Sequence, residues 1–244
     1  MKSKLAEALG LSAQPVALLR MEQPPTDAWE PSVGWHGCVI ALLAAAANGK
    51  RSAFREETVG CPGGKGGLAL AQTPSVPLTT LLAGGSEKVP GLRYKKNSAL
   101  VEDYLSGLPQ EVHTPCLVFS PLDQVRREET PSAVVFLVNP DQLSALSMLA
   151  NYDSAQQDNV KLLFGAGCVQ SILYSLADEQ AGSKKCTVGL IDPSARLCVA
   201  PELLSFSIPY SRFLELEAQV DESFLRGEIW QKLKKRMQGK EAPH

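Results

Sequence analysis

The chain has 244 residues, and its 24 Lys and Arg residues against 26 Asp and Glu give a net charge of -2. Hydrophobic residues make up 44% and charged residues 20%, which excludes collagen, a disordered chain and a basic nucleic-acid-binding arm. Six cysteines are too few for a small disulfide-stapled scaffold of this length. We therefore expect one large domain or two small ones, and no nucleic-acid partner.

The N-terminus indicates neither export nor membrane insertion. Glu7 interrupts its only apolar run, so no secretory signal is predicted. The uncharged stretch at 37–49 is shorter than the roughly 20 residues of a spanning helix. The stretch at 66–88 is broken by prolines and polar groups. We expect a cytoplasmic protein with no membrane association, in which thiols stay reduced.

Apolar periodicity, end-capping residues and β-branched runs predict alternating helices and strands. The expected helices cover residues 2–9, 41–48, 101–108, 140–150, 169–177 and 210–238. The expected strands cover residues 15–19, 117–119, 133–138 and 203–208. Residues 60–67 contain five glycines and one proline, and this pattern predicts a turn-rich loop. The fold class is α+β, with α/β as the alternative.

An internal repeat is visible in the spacing of small residues. Gly-Cys-Val occurs at 37–39 and again at 167–169, and Val-Gly follows at 59–60 and at 188–189. Duplication of a strand, loop, Gly-Cys helix and glycine turn is one explanation, and chance similarity is the other. Two copies would pack about a pseudo-twofold axis with their Gly-Cys helix starts facing one another.

The repeat favours a single domain over two. We expect the domain to cover residues 10–220, with pseudo-repeats at about 12–72 and 131–209. Residues 221–244 would form a C-terminal helix end and tail. The apolar face of the C-terminal helix would pack on its own domain or on a partner, which leaves a homodimer open.

Three cysteines lie where the chain could activate a thiol. Cys38 and Cys168 each follow a glycine and begin a predicted helix, where exposed N–H groups lower a thiol pKa. Cys61 lies among glycines that let the backbone fold around a bulky inorganic group. The three thiolates predict a site for an iron–sulfur cluster or a thiophilic metal, with one open coordination position. The alternative is that all three are ordinary packing residues.

The residues around Cys61 are expected to contact the cofactor through their backbone. This set comprises Gly60, Pro62, Gly63 and Gly64. A nucleotide phosphate loop is not supported, because Lys65 is followed by glycine instead of Ser or Thr. His36 is a candidate ligand or proton relay, and a hydrogen-bonded loop histidine is its alternative.

The remaining cysteines are interpreted as packing residues. Cys116 lies in an apolar strand. Cys186 and Cys198 flank the second glycine turn, which leaves open that they lie near the site, although neither occupies the position of Cys61. In the second copy, the place of Cys61 is expected to be taken by Leu190, which would make the site asymmetric.

Several of these motifs, in this order, resemble one family. They are Pro15-Val16-Ala17, Gly37-Cys38, Cys61-Pro62-Gly63-Gly64, Val138-Asn139-Pro140-Asp141-Gln142-Leu143, Gly167-Cys168 and Leu204-Ser205-Phe206-Ser207-Ile208-Pro209. The chain resembles the family known as domain of unknown function 169 over residues 10–220. The resemblance implies a unified domain with recurring cysteines at Cys38, Cys61 and Cys168, and it implies no particular activity.

The leading functional hypothesis is a cytoplasmic metal- or iron–sulfur-binding protein. Its partner would be a small molecule or a redox protein. The alternatives are a binding module that holds an anionic ligand at helix N-termini, and an enzyme with Cys38 or Cys61 as nucleophile.

Overall fold

The computed structural model describes residues 2–70, 76–87, 90–109 and 112–239. Within these ranges seven strands form one mixed sheet. The strands are β1 Val16–Met21, β2 Ser52–Arg55, β3 Cys116–Pro121, β4 Ala133–Val138, β5 Val160–Lys161, β6 Cys186–Gly189 and β7 Leu204–Pro209. Their order across the sheet is β2-β3-β1-β4-β7-β6-β5.

The helices cover both faces of this sheet. They are α1 Lys4–Leu9, α2 Val39–Ala47, α3 Pro62–Gly67, α4 Val76–Leu82, α5 Ser98–Ser106, α6 Pro140–Leu149, α7 Tyr174–Gln180, α8 Pro193–Arg196, α9 Tyr210–Gln219 and α10 Glu228–Met237. A π-helical segment, Val169–Leu173, leads directly into α7.

The centre of the sheet is an antiparallel pair, β1 with β4, in which Ala17 lies opposite Val134. Going outward, β3 pairs with β1 and β2 with β3, all antiparallel. On the other side, β7 pairs with β4 and β6 with β7, again antiparallel. Only β5 is added in parallel among the described strands, at the β6 edge. Apart from β5, each half therefore runs outward from its first strand to its last strand and then to the one before it, as β1-β3-β2 and β4-β7-β6.

Alternation of side chains along each strand creates two apolar layers. On one face, Leu18 and Phe119 pack with residues of α2, α7 and the π-helical segment. On the other face, Phe136 and Phe206 pack with residues of α1, α6, α9 and α10. A sheet covered by helices on both sides is consistent with a single α+β domain.

Most elements of the sequence-based prediction are present. Gly10 ends α1 in the left-handed conformation, and Asn139 caps α6 in a reciprocal capping box with Gln142. The prediction over 133–138 matches β4 residue for residue. The sequence analysis did not predict β2, β5 or β6, which are short strands of two to four residues.

The prediction of one helix over 210–238 is wrong. The chain leaves α9 after Gln219, passes through a short 3-10 turn at Phe224–Arg226, and then begins α10. The Ser223 side chain accepts a hydrogen bond from the N–H of Leu225 and so stabilises the break. The turn lets Trp230 reach α1, where its indole N–H donates to the carbonyl of Ala8.

The prediction of a loop over 60–67 is also wrong, because Pro62–Gly67 is helical. Proline suits the first position of a helix, since its missing N–H would be unpaired there anyway. The Cys61 sulfur caps the helix by accepting from the N–H of Gly64. The glycines of α3 permit close packing with neighbouring residues, and this packing offsets the poor helix propensity of glycine.

In the described residues, no helix combines the length and apolar character needed to cross a membrane. The last five residues of the predicted tail, 240–244, lie outside the described residues.

A buried arginine connects α9 to the loop after α6. Arg212 is 3% exposed and donates to both carboxylate oxygens of Asp153, at 2.8 and 2.6 Å. It also donates to Glu215 and to the carbonyl of Ala150. The hydrogen bonds from Arg212 hold the pKa of Asp153 well below its usual range.

We expect Asp153→Asn to lower the free energy of unfolding by about 1 kcal/mol at pH 7, a value reduced because the carboxylate is partly exposed. A depressed carboxyl pKa stabilises the fold at neutral pH, and this contribution disappears as the pH falls through the folded-state value. The difference from wild type should therefore shrink below about pH 4. Denaturant unfolding at several pH values measures this difference in the free energy of unfolding. Glu228→Gln, which removes an exposed ion pair with Lys232, is the control and should change little. A pH-independent difference for Asp153→Asn would contradict this account.

Candidate functional site

Two loops that lead into cysteines are held together by their backbones. Trp35 and Val59 form an isolated parallel bridge, and the Gly60 N–H donates to the Trp35 carbonyl at 2.6 Å. A β-carbon on Gly60 would lie 2.7 Å from Nδ1 of His36, so only glycine permits this approach. Gly37 is equally restricted, because the Trp35 ring lies against it. The chain is thus fixed immediately before Cys38 and Cys61.

Cys38 and Cys61 occupy the same local position in neighbouring helices. Each is the N-cap residue of its helix, α2 or α3, with an extended backbone conformation. Both are half-buried and packed against the same apolar layer. The Cys61 sulfur accepts the Gly64 N–H at 3.4 Å, whereas the Cys38 side chain makes no cap hydrogen bond to its own helix.

Cys168 lies at the start of the π-helical segment and is 7% exposed. Its thiol donates to the carbonyl of Gly63, at 3.1 Å, in the first turn of α3. Burial raises the pKa of Cys168, and the neighbouring Cys61 and Cys38 raise it further. The expectation that a helix start lowers this pKa is therefore wrong for Cys168, because desolvation outweighs the helix dipole.

Gly67 makes the approach of α3 to Cys168 possible. A β-carbon at Gly67 would lie 2.4 Å from the Cys168 sulfur and 2.7 Å from its β-carbon. Real atoms cannot come so close, so the position requires glycine. Cys38, Cys61 and Cys168 therefore pack in one apolar layer on the same face of the sheet, and their role as a shared ligand set stays a prediction.

Asp192 positions the loop before Cys168. It is buried, and it accepts from the Gly167 N–H at 2.9 Å and from the Tyr94 hydroxyl at 2.8 Å. It also caps α8 by accepting from Ser194. Like Cys61, Asp192 caps a helix whose first residue is proline.

Cys198 lies just after α8, is half-buried, and packs against the same apolar layer as Cys38. Burial, together with the nearby Cys38, raises the pKa of Cys198 to about 11. No Gly-Cys pair marks it, and the only sequence signal is the Asp-Pro helix start six residues before it.

The other two cysteines confirm the expectation of core packing. Cys116 packs with Leu19 and Val118, and Cys186 packs in the layer of α6 and α9, both on the opposite face of the sheet. Burial raises the pKa of Cys116 to about 11 and that of Cys186 to about 12. All six cysteines are free thiols, and they divide into four on one face and two on the other.

The other residues singled out in the sequence lie partly beside the cysteines and partly on the surface. Gly63 and Gly64 contact the site through the backbone groups described above, and Pro62 begins α3. The Lys65 ammonium lies 3.9 Å from Glu56, in a surface ion pair. His36 is exposed and lies against Gly60. Across the described ranges, no three His, Cys, Asp or Glu side chains are arranged to hold a single metal ion.

Comparison with known proteins identifies the family. A family model described as "Uncharacterised ArCR", domain of unknown function 169, matches residues 4–219. The chain belongs to this family. No curated protein and no solved structure matches it. The match confirms the resemblance seen in the sequence motifs.

The residues that match the domain of unknown function 169 family include Cys38, Cys61, Cys168 and Cys198. Residues 4–219 extend from α1 through α9, so the sheet, the helix starts and Cys198 all lie within it. Helix α10 lies outside the match. All four cysteines on this face of the sheet therefore lie within the family domain.

A pair of glycine substitutions tests the packing between α3 and Cys168. Gly67→Ala should destabilise the protein by about 2 kcal/mol, because the new methyl group overlaps the Cys168 sulfur. It should also expose Cys168 to alkylating reagents. Gly66→Ala is the matched control, since nothing lies within 4 Å of its β-carbon position, and it should be neutral or slightly stabilising. Denaturant unfolding and mass-resolved alkylation are the measurements. Equal stability of the two variants would contradict the described contact.

Proposed function

We propose that the protein binds an iron–sulfur cluster, or another thiophilic metal centre, through Cys38, Cys61 and Cys168. The observation that carries the proposal is the shared location of the three cysteines. Three cysteines from distant parts of the sequence lie together at the starts of helical segments, with the Cys168 thiol on the carbonyl of α3 and within electrostatic reach of Cys61 and Cys38. Thiolates are the ligands that iron–sulfur clusters and soft metals prefer.

The surroundings of the three thiols favour a site over core packing. Cys38 and Cys61 are half-buried, so neither residue is fully enclosed in the core. The backbone of the chain before each of them is fixed by close glycine contacts. Purely apolar packing would not need this restriction, whereas metal ligands must be held in place before they bind.

The proposal covers a single thiophilic ion as well as a cluster, because thiolates are ligands of both. In the described residues no three His, Cys, Asp or Glu side chains are placed to hold one ion.

The proposal carries expectations about location and partners. Free thiols and a cluster fit a reducing, cytoplasmic compartment. With an open coordination position the centre would bind a small molecule, and with a complete ligand set it would exchange electrons with a redox partner. Gly60, Pro62, Gly63 and Gly64 would contribute backbone groups around the Cys61 side of the centre.

Anaerobic purification followed by elemental analysis tests the proposal. Wild-type protein should contain iron and sulfide, and should be brown if it holds a cluster. Cys38→Ala, Cys61→Ala and Cys168→Ala should each lower the affinity for iron by about ten-fold or more, because each removes a direct ligand. Cys116→Ala is the matched control on the opposite face and should keep the wild-type content.

Two results would contradict the proposal. The first is the absence of bound metal after anaerobic preparation and after incubation with iron and sulfide. The second is an unchanged metal content in all three site variants, which would place the metal elsewhere.

A further inference from the structure

Strand β1 is paired on only one side along its second half. Strand β3 pairs with all of Val16–Met21, whereas β4 pairs only with Val16–Leu18. On the β4 side, the Ser132 N–H donates to the Leu18 carbonyl. Beyond that bond, no strand among the described residues lies along this side of Leu19–Met21. A strand at the centre of the sheet therefore ends in a short free edge.

Arg20 presents the backbone groups of this free edge. In antiparallel sheets, the N–H and C=O of successive residues point alternately to the two neighbouring strands. The Pro15 carbonyl accepts from Leu122 at the end of β3, and the Leu18 carbonyl accepts from Ser132 before β4. Odd-numbered residues of β1 thus face β3, and even-numbered residues face the β4 side. The N–H and C=O of Arg20 consequently face the free side, where no strand of the described residues pairs with them.

A cleft of about 590 Å³ lies along the free edge, and we call it the β1 cleft. It is lined by residues 19–23, 126 and 128–130. Its volume is in the range of about 300–1,000 Å³ that is usual for ligand-binding clefts. The Leu19 and Met21 side chains pack with Cys116, on the face of the sheet opposite the proposed metal site. The β1 cleft is therefore independent of the proposed function.

The basic side chains at the β1 cleft already have partners. The Arg126 guanidinium lies 2.7 Å from the carboxylate of Asp27. The Arg20 guanidinium donates to the His113 carbonyl at 2.7 Å and to the Gln180 side chain at 3.0 Å. Side chains alternate along a strand, so the charge of Arg20 lies on the face that α7 covers.

Two acidic side chains at the β1 cleft have no ion-pair partner in the described part of the chain. Glu22 and Glu128 line the cleft and are exposed. The third lining carboxylate, Glu129, accepts a hydrogen bond from Arg51. Cationic groups of an occupant would pair with Glu22 and Glu128, whereas acidic groups would be repelled.

We propose that the β1 cleft binds an extended, lysine- or arginine-containing segment of a partner protein, which adds a short strand to the free edge of β1. The backbone of the segment exchanges hydrogen bonds with the N–H and C=O of Arg20, as in other complexes formed by strand addition. Its apolar side chains contact Leu19 and Met21, and its basic side chains pair with Glu22 and Glu128. A small organic cation would leave the Arg20 N–H without an acceptor, so the free edge favours a peptide.

NMR titration of the isotope-labelled whole chain with a synthetic peptide of alternating lysine and valine tests the proposal. The amide signals of Arg20 and of residues 126–130 should shift. Exchange of the Arg20 amide proton with solvent should slow, because this proton gains an acceptor. A peptide of alternating glutamate and valine should not bind. A lysine peptide with methylated backbone nitrogens should bind about ten-fold more weakly, because it cannot donate to the Arg20 carbonyl.

Charge variants test the side-chain part of the proposal. Glu22→Gln and Glu128→Gln should each weaken binding of the lysine peptide by about two- to five-fold, as expected for exposed ion pairs. Glu102→Gln is the matched control, since it removes an exposed charge from α5, away from the β1 cleft, and it should bind like wild type.

Several results would overturn the proposal. One is the absence of shifts in wild type at about 1 mM lysine peptide. Another is equal binding of the lysine and glutamate peptides, or affinity unchanged in both glutamate variants. Equal shifts of the Arg20 amide with spermine, a cation without a peptide backbone, would mean that the cleft binds small polyamines instead of an added strand.

Discussion

The antiparallel pairing of β1 with β4 is the constraint on which the rest of the structure depends. Val16, Ala17 and Leu18 lie opposite Val135, Val134 and Ala133 at the centre of the sheet. Because the pair is antiparallel, the chain leaves the two strands in opposite directions. Each half then adds two more antiparallel strands outward from this centre. The helical segments that begin at Cys38 and Cys168 consequently pack on the same face and meet near the middle.

Where these segments meet, several backbone positions leave no room for a side chain. Gly37, Gly60 and Gly67 each occupy a place that a β-carbon would make impossible. Cys168 is buried next to two other thiols, which raises its pKa and leaves a protonated thiol on a backbone carbonyl. Close packing of this kind keeps sulfur atoms together without a disulfide. In the proposed function, these thiols would exchange their protons for metal.

Apart from β5, the similar strand order of the two halves is what an ancient duplication would produce, and duplication stays a prediction. Both α3 and α8 begin with proline after a capping residue, Cys61 in one and Asp192 in the other. Direct reading of the sequence related Cys61 to Leu190 instead, because it aligned the Val-Gly pairs. Alignment by helix caps has a firmer physical basis, since a cap fixes where a helix begins.

Sequence reasoning succeeded where a local signal determines local structure. Asn139 and Pro140 identify the start of α6, and the β-branched run at 133–138 identifies β4. It also placed Cys38 and Cys168 at the starts of helical segments, because glycine before a helix start is a local pattern; the roles of Cys38, Cys61 and Cys168 as ligands stay predictions. It failed for the helix at Pro62–Gly67, where close contact with Cys168 and Val39 outweighs the low helix propensity of glycine.

X-ray absorption spectroscopy at the iron edge, on anaerobically loaded wild-type protein, tests the central claim most directly. The account predicts a first shell made only of sulfur, from sulfide and cysteine, and a second shell from a neighbouring iron atom. A first shell of oxygen and nitrogen without neighbouring iron would mean surface-bound iron, and would contradict a cluster held by the converging cysteines.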